Sequence, residues 1–135
     1  MTREPPYTLD ILRLAASLPV ETSVAGATHA GEARSVTCGS TIRAELRTAD
    51  GRIEALAQKV TACAYGQASA ALVQGWAPGR LRAEVIVMRA ALKAWLEGRG
   101  ELPETLAALA PVQGRTGRHG AALLPFDALL KALDS

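Results

Sequence analysis

The hydrophobic and polar positions of the chain follow two periods, and the clearest of them is a strict alternation near its middle. Three apolar and three charged side chains alternate there, in the order Ile42, Arg43, Ala44, Glu45, Leu46 and Arg47. A period of two is typical of a strand with one buried and one solvated face. Asp50-Gly51 follows and supplies the residues of a tight hairpin turn.

The segment after this turn has an ambiguous pattern. Ile53, Leu56 and Val60 have helical spacing, and the alanines nearby favour a helix by intrinsic propensity. Its position favours a strand, because a segment that follows a strand and an Asp-Gly turn can satisfy the open hydrogen bonds of that strand. We therefore predict a strand over residues 52–61. A weaker strand is expected at residues 32–36, in a stretch that has no clear period.

Apolar positions elsewhere recur every three or four residues and predict helices. The longest series steps alternately by four and three, through Leu81, Val85, Met88, Leu92 and Trp95. Because Pro and Gly mark the ends of helices, the predicted helices span residues 9–17, 66–75, 80–97, 104–110 and 123–133. Residues 111–120 contain three glycines and are predicted as a loop.

These elements predict an α+β fold with a three-stranded antiparallel sheet and helices packed mainly on one face. The long helix at residues 80–97 is expected to pack across the sheet. One buried and one solvated sheet face suits such a layered arrangement. Because 135 residues are the size of one ordinary domain, we predict a single domain over residues 1–135.

Composition narrows the function classes. Hydrophobic residues make up 49% and charged residues 21%, as in globular proteins, and the net charge of +2 does not call for a nucleic-acid partner. No apolar run is long enough to cross a membrane. The first residues lack the features of a secretory signal, so a cytoplasmic location is expected. In that reducing compartment two cysteines favour thiols or metal ligands over a disulfide.

Cys38 and Cys63 lie on the two sides of the predicted hairpin. Because a hairpin folds back on itself, both can meet at one end of the sheet, where two thiolates can hold a soft metal ion. They can equally be two small buried side chains. His119, in the predicted glycine-containing loop, is either a third ligand or a surface histidine without a specific role. No paired base and carboxylate accompany either cysteine, so we expect a protein that is not an enzyme.

Several short stretches, taken in order, resemble the iron-sulfur cluster assembly scaffolds of the IscU, SufU and NifU N-terminal type. They are Thr37-Cys38-Gly39-Ser40, Asp50-Gly51-Arg52-Ile53-Glu54, Lys59-Val60-Thr61-Ala62-Cys63, Ala68-Ser69-Ala70, Leu109-Ala110-Pro111-Val112-Gln113 and Arg118-His119-Gly120. Two positions depart from the pattern of that family. Its aspartate after Cys-Gly is Ser40 here, and its third cysteine is replaced by Gly120 or Ala121.

This resemblance implies a scaffold-like protein of iron-sulfur cluster assembly. It implies that Cys38 and Cys63, with His119, bind iron, zinc or a labile iron-sulfur cluster. It also implies that the partners are a cysteine desulfurase or other assembly proteins. The alternative is an IscU-like interaction module that binds such a partner without any metal. The two changed positions leave this choice open, because serine is a weak ligand and glycine or alanine offers none.

Overall fold

The computed structural model describes residues 7–36 and 39–135. Four α-helices, three strands and two 3-10 segments occur within these ranges. In chain order they are α1 (Leu9–Ala16), β1 (His29–Arg34), β2 (Thr41–Ala49), β3 (Arg52–Thr61), α2 (Ala64–Trp76), α3 (Arg82–Leu96), 3-10 segments at Glu104–Val112 and Thr116–Arg118, and α4 (His119–Leu133). Thr8 caps α1 by accepting a hydrogen bond from the Ile11 amide.

The strands form one antiparallel sheet in the order β1-β2-β3. Asp50 and Gly51 join β2 to β3, and their φ angles of 53° and 76° are both left-handed, as a two-residue hairpin turn with the twist of a sheet requires. The predicted strand over Arg52–Thr61 is confirmed. Position therefore decided the structure of this segment, against its helical spacing and its alanines.

The core lies between the inner face of the sheet and the helices, which confirms the predicted α+β class. Ile42, Ala44 and Leu46 are at most 1% exposed, so the alternation in β2 separates a buried from a solvated face. Helix α2 packs against β3, and α4 packs against β1 and β2. The buried Gln58 on β3 is satisfied, because its side-chain amide donates to the Ala70 carbonyl oxygen at 2.9 Å.

The prediction that the long helix packs across the sheet is wrong. Helix α3 packs on α4, and α4 is the helix that contacts β1 and β2. Arg82–Asp134 and Arg89–Asp127 ion pairs, at 2.8 and 2.5 Å, join α3 to α4, and the hydrogen bond from Arg82 lowers the pKa of Asp134. The reason is composition: α4 is apolar on most sides and takes the inner layer, whereas α3 has polar positions that favour the outer one.

Other element boundaries also differ from those expected. Strand β1 starts at His29 and ends at Arg34, earlier than the predicted residues 32–36. Helix α4 begins at His119 instead of residue 123 and contains Pro125 in its interior, so the predicted loop is shorter. The start of α4 was not predicted from the sequence, because the glycines near residue 119 have low helix propensity. None of the helices found in residues 7–36 and 39–135 is long and apolar enough to cross a membrane.

Gly31 on β1 is the point of closest approach between the sheet and α4. A Cβ atom at this position would lie 2.4 Å from the backbone nitrogen of Ala132. Real Cβ atoms do not approach backbone so closely, so this helix sits on the strand only because residue 31 has no side chain. Gly75 in α2 is the opposite case, since a Cβ there would meet no atom within 4 Å.

We predict that Gly31→Ala lowers the free energy of unfolding by roughly 1–3 kcal/mol, because α4 must move off the sheet. Gly75→Ala is the matched control and should raise it by about 0.5–1 kcal/mol, since alanine favours a helix. Urea unfolding measures both. Equal effects of the two substitutions would contradict the close packing of α4 on β1.

Candidate functional site

One end of the sheet brings together the segments that carry the predicted ligands. Strand β1 ends and β2 begins there, and Thr61 at the end of β3 pairs with Thr41 at the start of β2. The connection between β1 and β2 is closed by the Ser35 amide, which donates to the Ser40 carbonyl oxygen at 2.8 Å, and by the Gly39 amide, which donates to the Ser35 carbonyl oxygen at 2.9 Å.

Cys38 belongs to this connection, but Thr37 and Cys38 lie outside the described residues. The proximity of the two cysteine sulfurs therefore stays a prediction. The described residues on either side show where the β1–β2 connection leaves β1 and where it enters β2. Both places are at the same end of the sheet as the last residue of β3, which leads to Cys63.

Cys63 is the N-cap residue of α2 and follows β3 by two positions. Its side chain is partly buried and is a free thiol. Gln67 holds this turn with two hydrogen bonds. Its backbone N–H donates to the Cys63 carbonyl oxygen at 2.9 Å, and its side-chain Nε2 donates to the Ala62 carbonyl oxygen at 3.0 Å. Cys63 thus sits at the positive end of a helix dipole, where negative charge is stabilised.

The N-terminus of α4 closes the same region. A Cβ atom on Gly120 would lie 2.8 Å from the Ser35 hydroxyl oxygen, and one on Gly66 in α2 would lie 3.5 Å from the Ala121 Cβ atom. The start of α4 therefore touches both the end of β1 and the first turn of α2. Sequence reasoning missed Ser35, because it lies in a stretch without any period or recognisable motif.

His119 is the first residue of α4, and its ring is oriented by a backbone group. Its Nε2 atom lies 2.8 Å from the carbonyl oxygen of Gln113. A carbonyl oxygen only accepts hydrogen bonds, so Nε2 carries the proton and the lone pair of the neutral ring is on Nδ1. The side chain of Gln113 donates in turn to the Trp95 carbonyl oxygen at 2.7 Å, which ties this segment to α3.

The two positions that depart from the scaffold pattern are both packed. Ser40 is 5% exposed and Ala121 is fully buried. A cysteine at residue 120 would bring its Cβ atom against the Ser35 hydroxyl. Neither residue 120 nor residue 121 supplies a third thiol.

Within residues 7–36 and 39–135, no three His, Cys, Asp or Glu side chains are grouped so that they could hold a metal ion. Two members of the predicted ligand set, Cys63 and His119, lie in these ranges. The third, Cys38, does not. The assignment of Cys38, Cys63 and His119 as ligands accordingly remains a prediction.

Comparison with known proteins shows what this fold is similar to. No protein-family profile and no curated protein matches the sequence. The N-terminal part of a nitrogen-fixing NifU-like protein from Brucella abortus superposes with a TM-score of 0.87 at 29% identity, covering 94% of this chain and 91% of that one.

A second solved structure, described as an iron-sulfur cluster assembly scaffold protein for the SUF system of Fervidobacterium islandicum AW-1, superposes with a TM-score of 0.84. It is 19% identical and covers 94% of this chain and 96% of its own. At that identity the likeness shows the shared fold. Together these neighbours confirm the resemblance seen in the sequence motifs: this chain is similar in fold to proteins of the IscU/NifU/SufU type.

Proposed function

We propose that this protein is a scaffold-like component of iron-sulfur cluster assembly that binds zinc, iron or a labile iron-sulfur cluster through Cys38 and Cys63. The observation that carries the proposal is the convergence at one end of the sheet of the β1–β2 connection, the N-terminus of α2 and the N-terminus of α4. Its neighbours in fold include a NifU-like protein and a SUF scaffold. We expect a cysteine desulfurase or other assembly proteins as partners.

The chemistry of the donors fits such a cargo. Two thiolates and one imidazole are ligands of zinc and of iron-sulfur clusters. His119 would bind through Nδ1, because Nε2 donates to the Gln113 carbonyl oxygen. A second hydrogen bond of this kind is what orients histidine ligands in metal sites generally. Water or another weak donor would complete a tetrahedral set.

The missing donors set the strength of binding. A neutral hydroxyl at Ser40 and the absence of a thiol at residues 120 and 121 leave fewer anionic ligands than a complete scaffold motif has. A cluster held by fewer thiolates is more exposed and is lost more readily. The proposed role is therefore transient holding of metal or cluster, with lower affinity than a four-ligand structural site.

Replacing Cys38 or Cys63 with serine should abolish bound metal in protein purified without chelator, because each removes one of two strong donors. The fold should survive, because a chain of 135 residues is long enough to bury a core without a metal ion. Metal analysis and thermal unfolding measure the two effects. Equal and near-zero metal in the wild type and in Cys38→Ser would reject the metal site and favour the metal-free interaction module.

His119→Ala should weaken zinc binding by about tenfold or more, as loss of a ligand or of its orientation does. His29→Ala is the matched control, because the chain has two histidines and His29 lies on β1. Competition with a chromophoric chelator gives both affinities. An equal change in the two variants would remove His119 from the ligand set.

The neutral imidazole of His119 should carry its proton on Nε2 in metal-free protein, because that atom faces a carbonyl oxygen. Nitrogen-detected NMR of the ring distinguishes the two tautomers, and a His29→Gln variant assigns the signals. A predominant Nδ1–H form would contradict the orientation of His119 and its proposed coordinating atom.

A further inference from the structure

The carbonyl oxygen that orients His119 belongs to Gln113, a residue outside the proposed ligand set. His119 is the first residue of α4, and its Nε2 atom lies 2.8 Å from this oxygen. A hydrogen bond fixes the direction of a histidine ring only if the acceptor is itself held in place. The orientation of His119 therefore depends on what holds the peptide group that links Gln113 to Gly114.

The backbone holds this peptide group on one side. Val112, the last residue of the first 3-10 segment, is fully buried in the core, and Gln113 follows it with helical φ and ψ angles of −55° and −44°. The Arg115 N–H closes the turn by donating to the Val112 carbonyl oxygen at 2.9 Å. Residues 114–117 are exposed, and a Cβ atom on Gly114 would meet no atom within 4 Å. The core therefore anchors the segment before Gln113 but not the segment after it.

The side chain of Gln113 supplies a second support, on the last turn of α3. Its Nε2 atom donates to the Trp95 carbonyl oxygen at 2.7 Å. Carbonyl groups in the last turn of a helix have no N–H group of a following turn to bind. The Trp95 oxygen also accepts a hydrogen bond from the Gly98 N–H at 2.9 Å, and its two lone pairs allow both. Gly98 has a left-handed φ of 84°, as expected where a helix ends.

We propose that Gln113 is a positioning residue for metal binding, because it joins the C-terminal turn of α3 to the proposed ligand His119. Its side chain holds the segment on the Trp95 carbonyl oxygen, and its backbone carbonyl oxygen holds the imidazole with Nδ1 left for the metal ion. One residue makes both contacts, so loss of the first loosens the second. This inference rests on the proposed function, because it concerns the orientation of one of the proposed ligands.

Two substitutions of Gln113 separate positioning from a simple effect of charge on zinc affinity. Gln113→Glu keeps the shape of the side chain but removes the donor, since an ionised carboxylate only accepts hydrogen bonds. Gln113→Lys keeps an N–H donor for the Trp95 carbonyl oxygen. Positioning predicts that Gln113→Glu weakens zinc binding by about three- to tenfold, the effect of one hydrogen bond, and that Gln113→Lys binds like the wild type. Charge alone predicts the opposite order, because a carboxylate attracts a cation and an ammonium group repels it.

The metal-free protein gives a second measurement that does not depend on zinc. Carbon-13 relaxation of the His119 ring reports how firmly the ring is held. Its order parameter should be close to the value of about 0.85 for rigid groups in the wild type and in Gln113→Lys, and should fall toward about 0.6 in Gln113→Glu. Thermal unfolding shows that each variant is folded, and a role of Gln113 in stability alone would change the unfolding temperature without changing the ring motion.

Competition with a chromophoric chelator gives the three zinc affinities. An equal order parameter of the His119 ring in all three proteins would overturn the proposal. Zinc binding by Gln113→Glu that is as tight as that of the wild type would overturn it as well. A wild type that binds no zinc would instead contradict the proposed function, and the ring order parameters would still decide whether Gln113 positions His119.

Discussion

The close approach of α4 to β1 at Gly31 is the contact on which the arrangement of this protein depends. Because residue 31 has no side chain, the backbone of α4 at Ala132 reaches the strand directly. That contact fixes the C-terminal end of α4. Its other end then reaches Ser35 through Gly120, so one helix spans from the middle of β1 to the connection between β1 and β2. Helix α4 also contacts α2 in the inner layer, and α3 packs on the outer side of α4.

The same geometry places the candidate site. Strand pairing brings the end of β3 beside the start of β2, and α2 begins directly after β3 with Cys63 as its cap. The N-terminus of α4 lies beside α2 in the same helical layer, with His119 oriented by the Gln113 carbonyl oxygen. Two helix N-termini and one strand connection thus meet where negative charge is stabilised by backbone dipoles. This is a suitable surrounding for thiolate ligands and an anionic cluster.

Local chemistry was enough to predict β2, β3, the hairpin between them and the position of Cys63, but not the bounds of β1. The alternation in β2 and the Asp50-Gly51 turn specify the hairpin, and the hairpin specifies which end of the sheet Cys63 reaches. The order of the helical layers was not predictable in this way. Whether α3 or α4 lies on the sheet depends on which helix buries more surface in the assembled core, and periodicity describes each helix alone. The close contact at Gly31 was hidden for a similar reason, because Gly31 lies in a stretch without any period.

The central claim is that the cysteine end of the sheet binds metal through two sulfurs and one imidazole. X-ray absorption at the zinc edge of zinc-loaded protein tests it most directly, since sulfur and nitrogen ligands differ in distance and scattering. The expected spectrum has two sulfur atoms at about 2.3 Å and nitrogen or oxygen atoms at about 2.0–2.1 Å, with the multiple scattering of one imidazole. A shell of nitrogen and oxygen alone would contradict the claim.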